Sequence, residues 1–382
     1  MVCGELATVF RTRTGRATEH GTCEPAQKKK PEEAHTRDLG DINARMYEED
    51  QKKRRWPAEW EPQQRVLFSF PRRDGDWGEV LDAASRAMIT AANQVAEVCP
   101  VTMVIGDAEH FAAYAADYRG EVLELPTDDC WIRDSGPITV LDDTPQLLDF
   151  TFNGWGGKFD ARRDDRLPRR LHDALYPETD YDKVNFVMEG GAIETDGRGA
   201  VLTTSRCLLS EGRNDFTTKE EAAMVLWRFL GAKRVLWLDH GELIGDDTDA
   251  HIDTVARFLD PETIAYVGPP PQGDAQYEDF AAMREQLREF GAGYRLVELP
   301  WAGTIRSAID GHQLPASYAN FLISNGTLFL PVYGTAIDAL AQATLEANSS
   351  YRIVPVDCRA FVEQHGALHC LTMQIPDWDK ID

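Results

Sequence analysis

Five polar residues, each followed by a short strand-forming run, recur along this chain and constrain its fold more than any other feature. Asp134 precedes Ser-Gly-Pro-Ile-Thr-Val, Glu189 precedes Gly-Gly-Ala-Ile-Glu-Thr, and His251 precedes Ile-Asp-Thr-Val-Ala-Arg-Phe. Asn320 precedes Phe-Leu-Ile-Ser, and Cys370 precedes Leu-Thr-Met-Gln-Ile. Successive members lie 55, 62, 69 and 50 residues apart. Each is read as opening a strand, and several of these strands reach a turn signal such as Asp196-Gly197, Asp260-Pro261 or Asn325-Gly326. Five units of similar length, closed around an axis, would bring the five polar groups together in the middle. Chance alignment of strand starts in a repetitive chain is the competing account, and spacing alone does not separate them.

Strand-like runs at 65–70, 101–105, 121–125, 147–152, 234–238, 294–299 and 352–356 alternate with helical periods near 77–98, 109–117, 217–230, 276–290 and 336–347. That alternation predicts an α/β architecture. Residues 1–55 are rich in charged and small polar residues and lack a sustained apolar period, which predicts a disordered N-terminal tail ahead of one domain over 56–382. Met46, just before a run of charged residues, is a candidate native start.

Charge narrows the partners. A net formal charge of -24 repels phosphates, which argues against nucleic acid and anionic membranes and favours a cationic small molecule. Seven cysteines, at 3, 23, 99, 130, 207, 358 and 370, show no paired CxxC spacing. A disulfide framework or structural zinc site is therefore not expected, and a reducing cytoplasm fits. No apolar run reaches the length of a membrane span, and the start MVCGELATVFRTRTGR lacks the apolar core of a secretory signal.

Two segments carry most of the chemistry. In Thr127-Asp-Asp-Cys-Trp-Ile-Arg-Asp-Ser-Gly-Pro137, three carboxylates and a tryptophan lie within a few residues of a strand. Paired carboxylates match a guanidinium and an indole face stacks on one, although Asp128 and Asp129 read equally as turn caps. In Gly245-Asp-Asp-Thr-Asp-Ala-His-Ile-Asp253, His251 and Asp253 would alternate on a strand and point the same way. The Asp-rich loop lacks the central glycine and terminal glutamate of an EF-hand. With Cys370, these residues supply the parts for thiolate chemistry, and carboxylates aimed at the reacting group suit a cationic carbon better than a carbonyl. Cys207 and Cys358 fall in expected strands and read as packing residues.

The segments Trp56-Pro-Ala-Glu-Trp-Glu-Pro62, Asp128–Pro137, Phe152-Asn-Gly-Trp-Gly-Gly-Lys158, Glu189-Gly-Gly-Ala-Ile193, Cys207-Leu-Leu209, Asp247–Asp253, Leu314–Phe321 and His369-Cys370 resemble, in order, the motifs of the agmatine deiminase and bacterial peptidylarginine deiminase family. The resemblance runs from about residue 56 to 376 and implies the pentein fold, five ββαβ-type units around a central site. It implies Cys370 as nucleophile, His251 as general acid/base, and Asp134 and Asp253 as guanidinium-binding carboxylates. Asp247 matches a further substrate-contacting acid, and Trp131, Glu189 and Asn320 fall at pocket positions. No metal or organic cofactor is implied, and a homodimer is an open expectation. The implied reaction is hydrolysis of agmatine to N-carbamoylputrescine and ammonia through an amidino-cysteine.

Departures from the pattern bear on substrate. The approach to the nucleophile reads His365-Gly-Ala-Leu-His-Cys370 where the family has Gly-Gly-Gly-Asn-Ile-His-Cys. Ala250 replaces the usual glycine before the histidine, and Glu194 stands where histidine is common. Free arginine or another guanidino compound, amidino transfer to an amine, and a catalytically silent binding protein remain as alternatives.

Overall fold

A tight turn joins antiparallel strands, whereas a parallel pair needs a crossover, so a chain alternating tight turns with amphipathic helices must alternate the two pairings. The computed structural model shows that alternation across the residues it describes, 54–381 apart from 216–217 and 291–292. The first sheet holds β1 (Gln63–Ser69), β2 (Val101–Ile105) and β3 (Glu121–Glu124), all parallel, with α1 (Leu81–Val95) crossing from β1 to β2. The second holds β4 (Ile138–Leu141) and β5 (Pro145–Thr151), antiparallel, then α2 (Leu167–Leu175) and β6 (Asp180–Val187), parallel to β5. The third repeats this with β7 (Ile193–Thr195), β8 (Ala200–Thr204), α3 (Lys219–Leu230) and β9 (Arg234–Leu238). The fourth uses β10 (Ala256–Asp260), β11 (Thr263–Val267), α4 (Tyr277–Glu289) and β12 (Arg295–Leu299). The fifth uses β13 (Leu322–Ser324), β14 (Thr327–Val332), α5 (Asp338–Asn348) and β15 (Arg352–Asp357).

The last strand, β16 (Thr372–Pro376), pairs antiparallel with β1 and gives the first sheet the antiparallel opening strand that the other four have. Five ββαβ units result, one of them assembled from both ends of the chain.

Local sequence explains the elements. Asn325-Gly326 joins β13 to β14 with both residues at positive φ (42° and 81°), the two-residue turn that matches strand twist. Helix α3 opens on Thr218, whose hydroxyl accepts from Glu221 N, and ends at Gly231 in the left-handed region. Helix α1 buries Ala84, Met88, Ile89, Ala92 and Val95 at helical spacing against the first sheet's core.

The structure corrects several readings. The five polar residues do not open the strands themselves. Four lie in or at the edge of short helical turns just before β4, β7, β10 and β16, and Asn320 lies just before β13. His251 and Asp253 therefore sit on such a turn and not on a strand, because Asp249 and Ala250 adopt left-handed φ and reverse the chain ahead of them. Cys207 and Cys358 are buried in short helical segments. The helix expected near 109–117 breaks into two short turns. Arg55, expected in the tail, exchanges backbone hydrogen bonds of 2.7 Å with Leu141 and so belongs to the folded body. The rest of the expected tail, with Met46, lies outside the described residues. Among those residues, no helix is long and apolar enough to cross a membrane.

Candidate active site

Cys370 stands in the helical turn His369–Leu371, immediately ahead of β16, and is only 5% exposed. Asn320 clamps that turn. Its Oδ1 accepts from the backbone N–H of His369 (3.0 Å) and of Cys370 (3.4 Å), and its Nδ2 donates to Cys370 Sγ (3.2 Å) and to the Asp253 carbonyl (3.3 Å). An N–H aimed at sulfur favours the thiolate. Burial nevertheless pushes the Cys370 thiol well above its ordinary range, and the Asp253 and Asp134 carboxylates add to the shift. Asp253 Oδ2 is 3.8 Å from the sulfur. In the resting site the group is a thiol, and a cation entering between the carboxylates would favour its ionisation.

Three further polar groups, His251, Asp134 and Asp253, converge where Gly191 has no side chain. A Cβ built there would lie 2.6 Å from His251 Nδ1, 2.7 Å from Asp134 Oδ1 and 3.1 Å from Asp253 Oδ2. Asp134 is held from two sides, Oδ1 accepting from Gly191 N (3.0 Å) and Oδ2 from Trp155 Nε1 (2.9 Å). Burial lifts its carboxyl to about 6, against the pull of His251. For His251, fully buried, desolvation disfavours the imidazolium. Asp134 leads the neighbours that nonetheless raise it well above its ordinary value. Nδ1 is 3.6 Å from Asp134 Oδ1, and neither ring nitrogen has a hydrogen-bond partner among the described residues. Asp253 Oδ1 is likewise buried and unpartnered. Such groups are costly unless something completes them, and a guanidinium, all donors, would do so for the carboxylate.

A narrow pocket with about 40 Å³ of open space is lined by Asp134 and Cys370 together with Trp131, Trp155, Phe159, Asp247, Asp76 and Asp129. Trp131 stacks on Trp77 and lies against Gly366, where a Cβ would come within 2.3 Å of the indole, so this glycine is required by space. At the mouth, Asp247 Oδ2 is 3.4 Å from His365 Nδ1. Glu189 is placed differently. Its two oxygens, fully buried, face Arg213 Nε at 3.0 and 2.9 Å, behind His251 and off the pocket wall. One donor atom each of Glu189, Cys207 and His251 lie within 4.8 Å of one another, a spacing that could hold a metal ion, but a cation there would have to compete with the Arg213 guanidinium.

Several residues around the site received no role from sequence reasoning. Trp155 orients Asp134 from within the Phe152–Lys158 motif. His369 puts Nδ1 2.7 Å from Asp253 Oδ2 and Nε2 2.7 Å from Glu59 Oε2. Glu59 also meets Arg257 Nη2 at 3.0 Å, and Arg257 Nε donates to Glu194 (2.8 Å). Glu59 and His369 both lay inside the motif segments, which was the available signal. Glu194 is committed to Arg257 and does not line the pocket.

The model of the Porphyromonas-type peptidyl-arginine deiminase family matches residues 55–376. An agmatine deiminase of Stutzerimonas stutzeri is 33% identical over 350 residues, spanning 84% of this chain and 95% of the relative. Among solved structures, a cysteine-to-serine variant of C. jejuni agmatine deiminase with substrate bound superposes with a TM-score of 0.79 at 32% identity, over 84% of this chain and 96% of its own. A Porphyromonas gingivalis structure, provisionally described as an arginine deiminase, gives 0.78 at 40% identity, over 85% and 99%. Five ββαβ units with their polar groups drawn together, and a family match over the whole described body, lead to one conclusion: the chain belongs to the Porphyromonas-type peptidyl-arginine deiminase family and has the mixed α/β pentein fold.

Proposed function

We propose that the protein hydrolyses the guanidino group of agmatine, giving N-carbamoylputrescine and ammonia. The observation that carries this is the meeting of His251, Asp134 and Asp253 around Gly191, beside Cys370, with Asp253 Oδ1 free to accept a guanidinium N–H. Asp134 and Asp253 hold the substrate's terminal nitrogens, and the added positive charge favours the Cys370 thiolate. The thiolate attacks the guanidinium carbon, the C–N bond to a terminal nitrogen breaks, and His251 protonates the departing ammonia. Water then adds to the S-amidino carbon while His251 takes its proton. The C–S bond breaks to return the thiolate and release the ureido product.

The far end of the pocket favours a cationic tail. Asp76, Asp129 and Asp247 line the pocket, and among the described residues no lysine or arginine does. Free arginine is the second reading, prompted by a wider groove of about 630 Å³ that shares Asp76, Asp129 and Phe159 and is flanked by Arg72, Arg162, Arg163 and Arg166. Arg72 is paired with Asp74 and Arg162 with Asp160, which reduces what they offer an α-carboxylate. A reducing compartment such as the cytoplasm suits a catalytic thiol and the five unbonded cysteines among the described residues.

Ammonia release from agmatine, arginine and a blocked arginine peptide, with mass spectrometry for the +1 Da change of guanidino to ureido, tests the proposal. Agmatine is expected to be turned over with the highest kcat/KM. Preference for arginine would overturn the substrate, and a new guanidino product on adding an amine acceptor would indicate amidino transfer.

A further inference from the structure

We propose that Glu59 and His369 are positioning residues, a buried relay that keeps the Asp253 carboxylate ionised and aimed at the substrate's guanidinium. The inference rests on the guanidine reading above. Its basis is a hydrogen-bond inventory. His369 has a carboxylate oxygen 2.7 Å from each ring nitrogen, Asp253 on Nδ1 and Glu59 on Nε2, and ionised carboxylates only accept. His369 thus bridges the two carboxylates from opposite sides of its ring. The line continues through Glu59 to Arg257 and on to Glu194, a run of five buried side chains ending at Asp253. Glu59 is fixed further by Ile323 N, which donates to its Oε1 (2.7 Å).

The relay gives Asp253 an asymmetric carboxylate. Oδ2 is taken by His369, which sets the plane of the group, and Oδ1 is left without a partner among the described residues. Burial alone would raise this carboxyl, but the His369 bond and charge bring it below its ordinary range, whereas Asp134, with no such partner, is lifted to about 6. The other groups with a charge interaction at Asp253 are His251, Asp134, Arg133, Arg257 and Cys370. Those acting on the His369–Glu59 end are Arg133, Arg257 and Glu194. Remove His369 and the arginines remain, but the contact donor to Asp253 is gone.

Binding without turnover isolates the effect. Agmatine is titrated by calorimetry into Cys370→Ser and into Cys370→Ser/His369→Gln between pH 5.5 and 9. Asp134 and His251 titrate in both proteins, so the ratio of the two affinities reports the relay. The expected result is a loss of about tenfold or more near pH 6, shrinking toward high pH as Asp253 ionises unaided, since one unit of pKa is about tenfold in binding. A merely structural role would weaken binding by the same factor at every pH, and that outcome, or no change at all, overturns the relay. Should His369→Gln fail to fold, Glu59→Gln, which keeps an oxygen for Nε2 but removes its charge, carries the same test. Failure of Cys370→Ser itself to bind agmatine overturns the guanidine reading instead, and is recognisable because it precedes any comparison.

Discussion

At Gly191 the space for one methyl group is the space in which the reaction is set up. A Cβ within 2.7 Å of both His251 Nδ1 and Asp134 Oδ1 would force apart the proposed general acid/base and a proposed substrate carboxylate. Misplacing reacting groups by about 1 Å costs on the order of 10²-fold. Gly191→Ala is therefore expected to fold, as circular dichroism would show, while losing kcat/KM by roughly that factor. Retained activity would mean that the three groups do not act together. Cys370 gives a second expectation at this scale. Because burial and two carboxylates hold its thiol above 9, iodoacetamide should alkylate it in the substrate-free protein only under alkaline conditions, with a midpoint above that of a free thiol. A midpoint near neutrality would show a preformed thiolate. Asp134 sets the opposite limb: its folded value of about 6 lies above the ordinary 3.8, so kcat/KM should rise as pH climbs through about 6 and the carboxylate forms.

The turns that carry these groups are where the elements meet the chemistry. Asp249 and Ala250 take consecutive left-handed conformations (φ 65° and 66°), and this reversal delivers His251 into the buried centre. A non-glycine residue there costs roughly 1–2 kcal/mol, while glycine loses about 0.5–1 kcal/mol more chain freedom on folding. Ala250→Gly should thus stabilise by about 0.5–1 kcal/mol, read as a higher urea midpoint at unchanged slope. A lower midpoint would show that the loop depends on the alanine side chain. The same turns explain what the sequence made legible. The β-branched run Val101–Ile105 and the apolar run Arg234–Leu238, with its valine and tryptophan, announce strands, and their observed limits coincide with the expected ones. The three- and four-residue turns ahead of β4, β7, β10 and β16 have no periodicity to read, so in the sequence their residues read as strand. Helix α2 was hidden by Pro168 in its first turn and by the charged stretch before it, and β6 by its exposed polar positions. The motifs brought Cys370, His251, Asp134 and Asp253 to notice. The bond from His369 to Glu59 spans 310 residues, and no local pattern encodes it.

Over the whole molecule, five sheets each place one polar residue ahead of their opening strand, and the first sheet obtains that strand from the far end of the chain. Strand β16 lies against β1 with Met373 and Ile375 buried, and Trp378 beyond it packs on Tyr176. Truncation after Leu371 would expose the backbone edge of β1 and remove four buried residues, among them Met373 and Ile375, whose large apolar side chains are worth about 2–5 kcal/mol each. The expected product is insoluble or unfolded, seen as loss of the thermal transition, and a folded monomer of that length would refute the role given to β16. Closure by the last strand also orders events in time. Cys370 and the strand that follows it are made after Asp134 and His251. A partly made chain that stops short of Cys370 thus contains Asp134 and His251 but neither the thiol nor the strand that completes the first sheet, and the site can assemble only once β16 has joined β1.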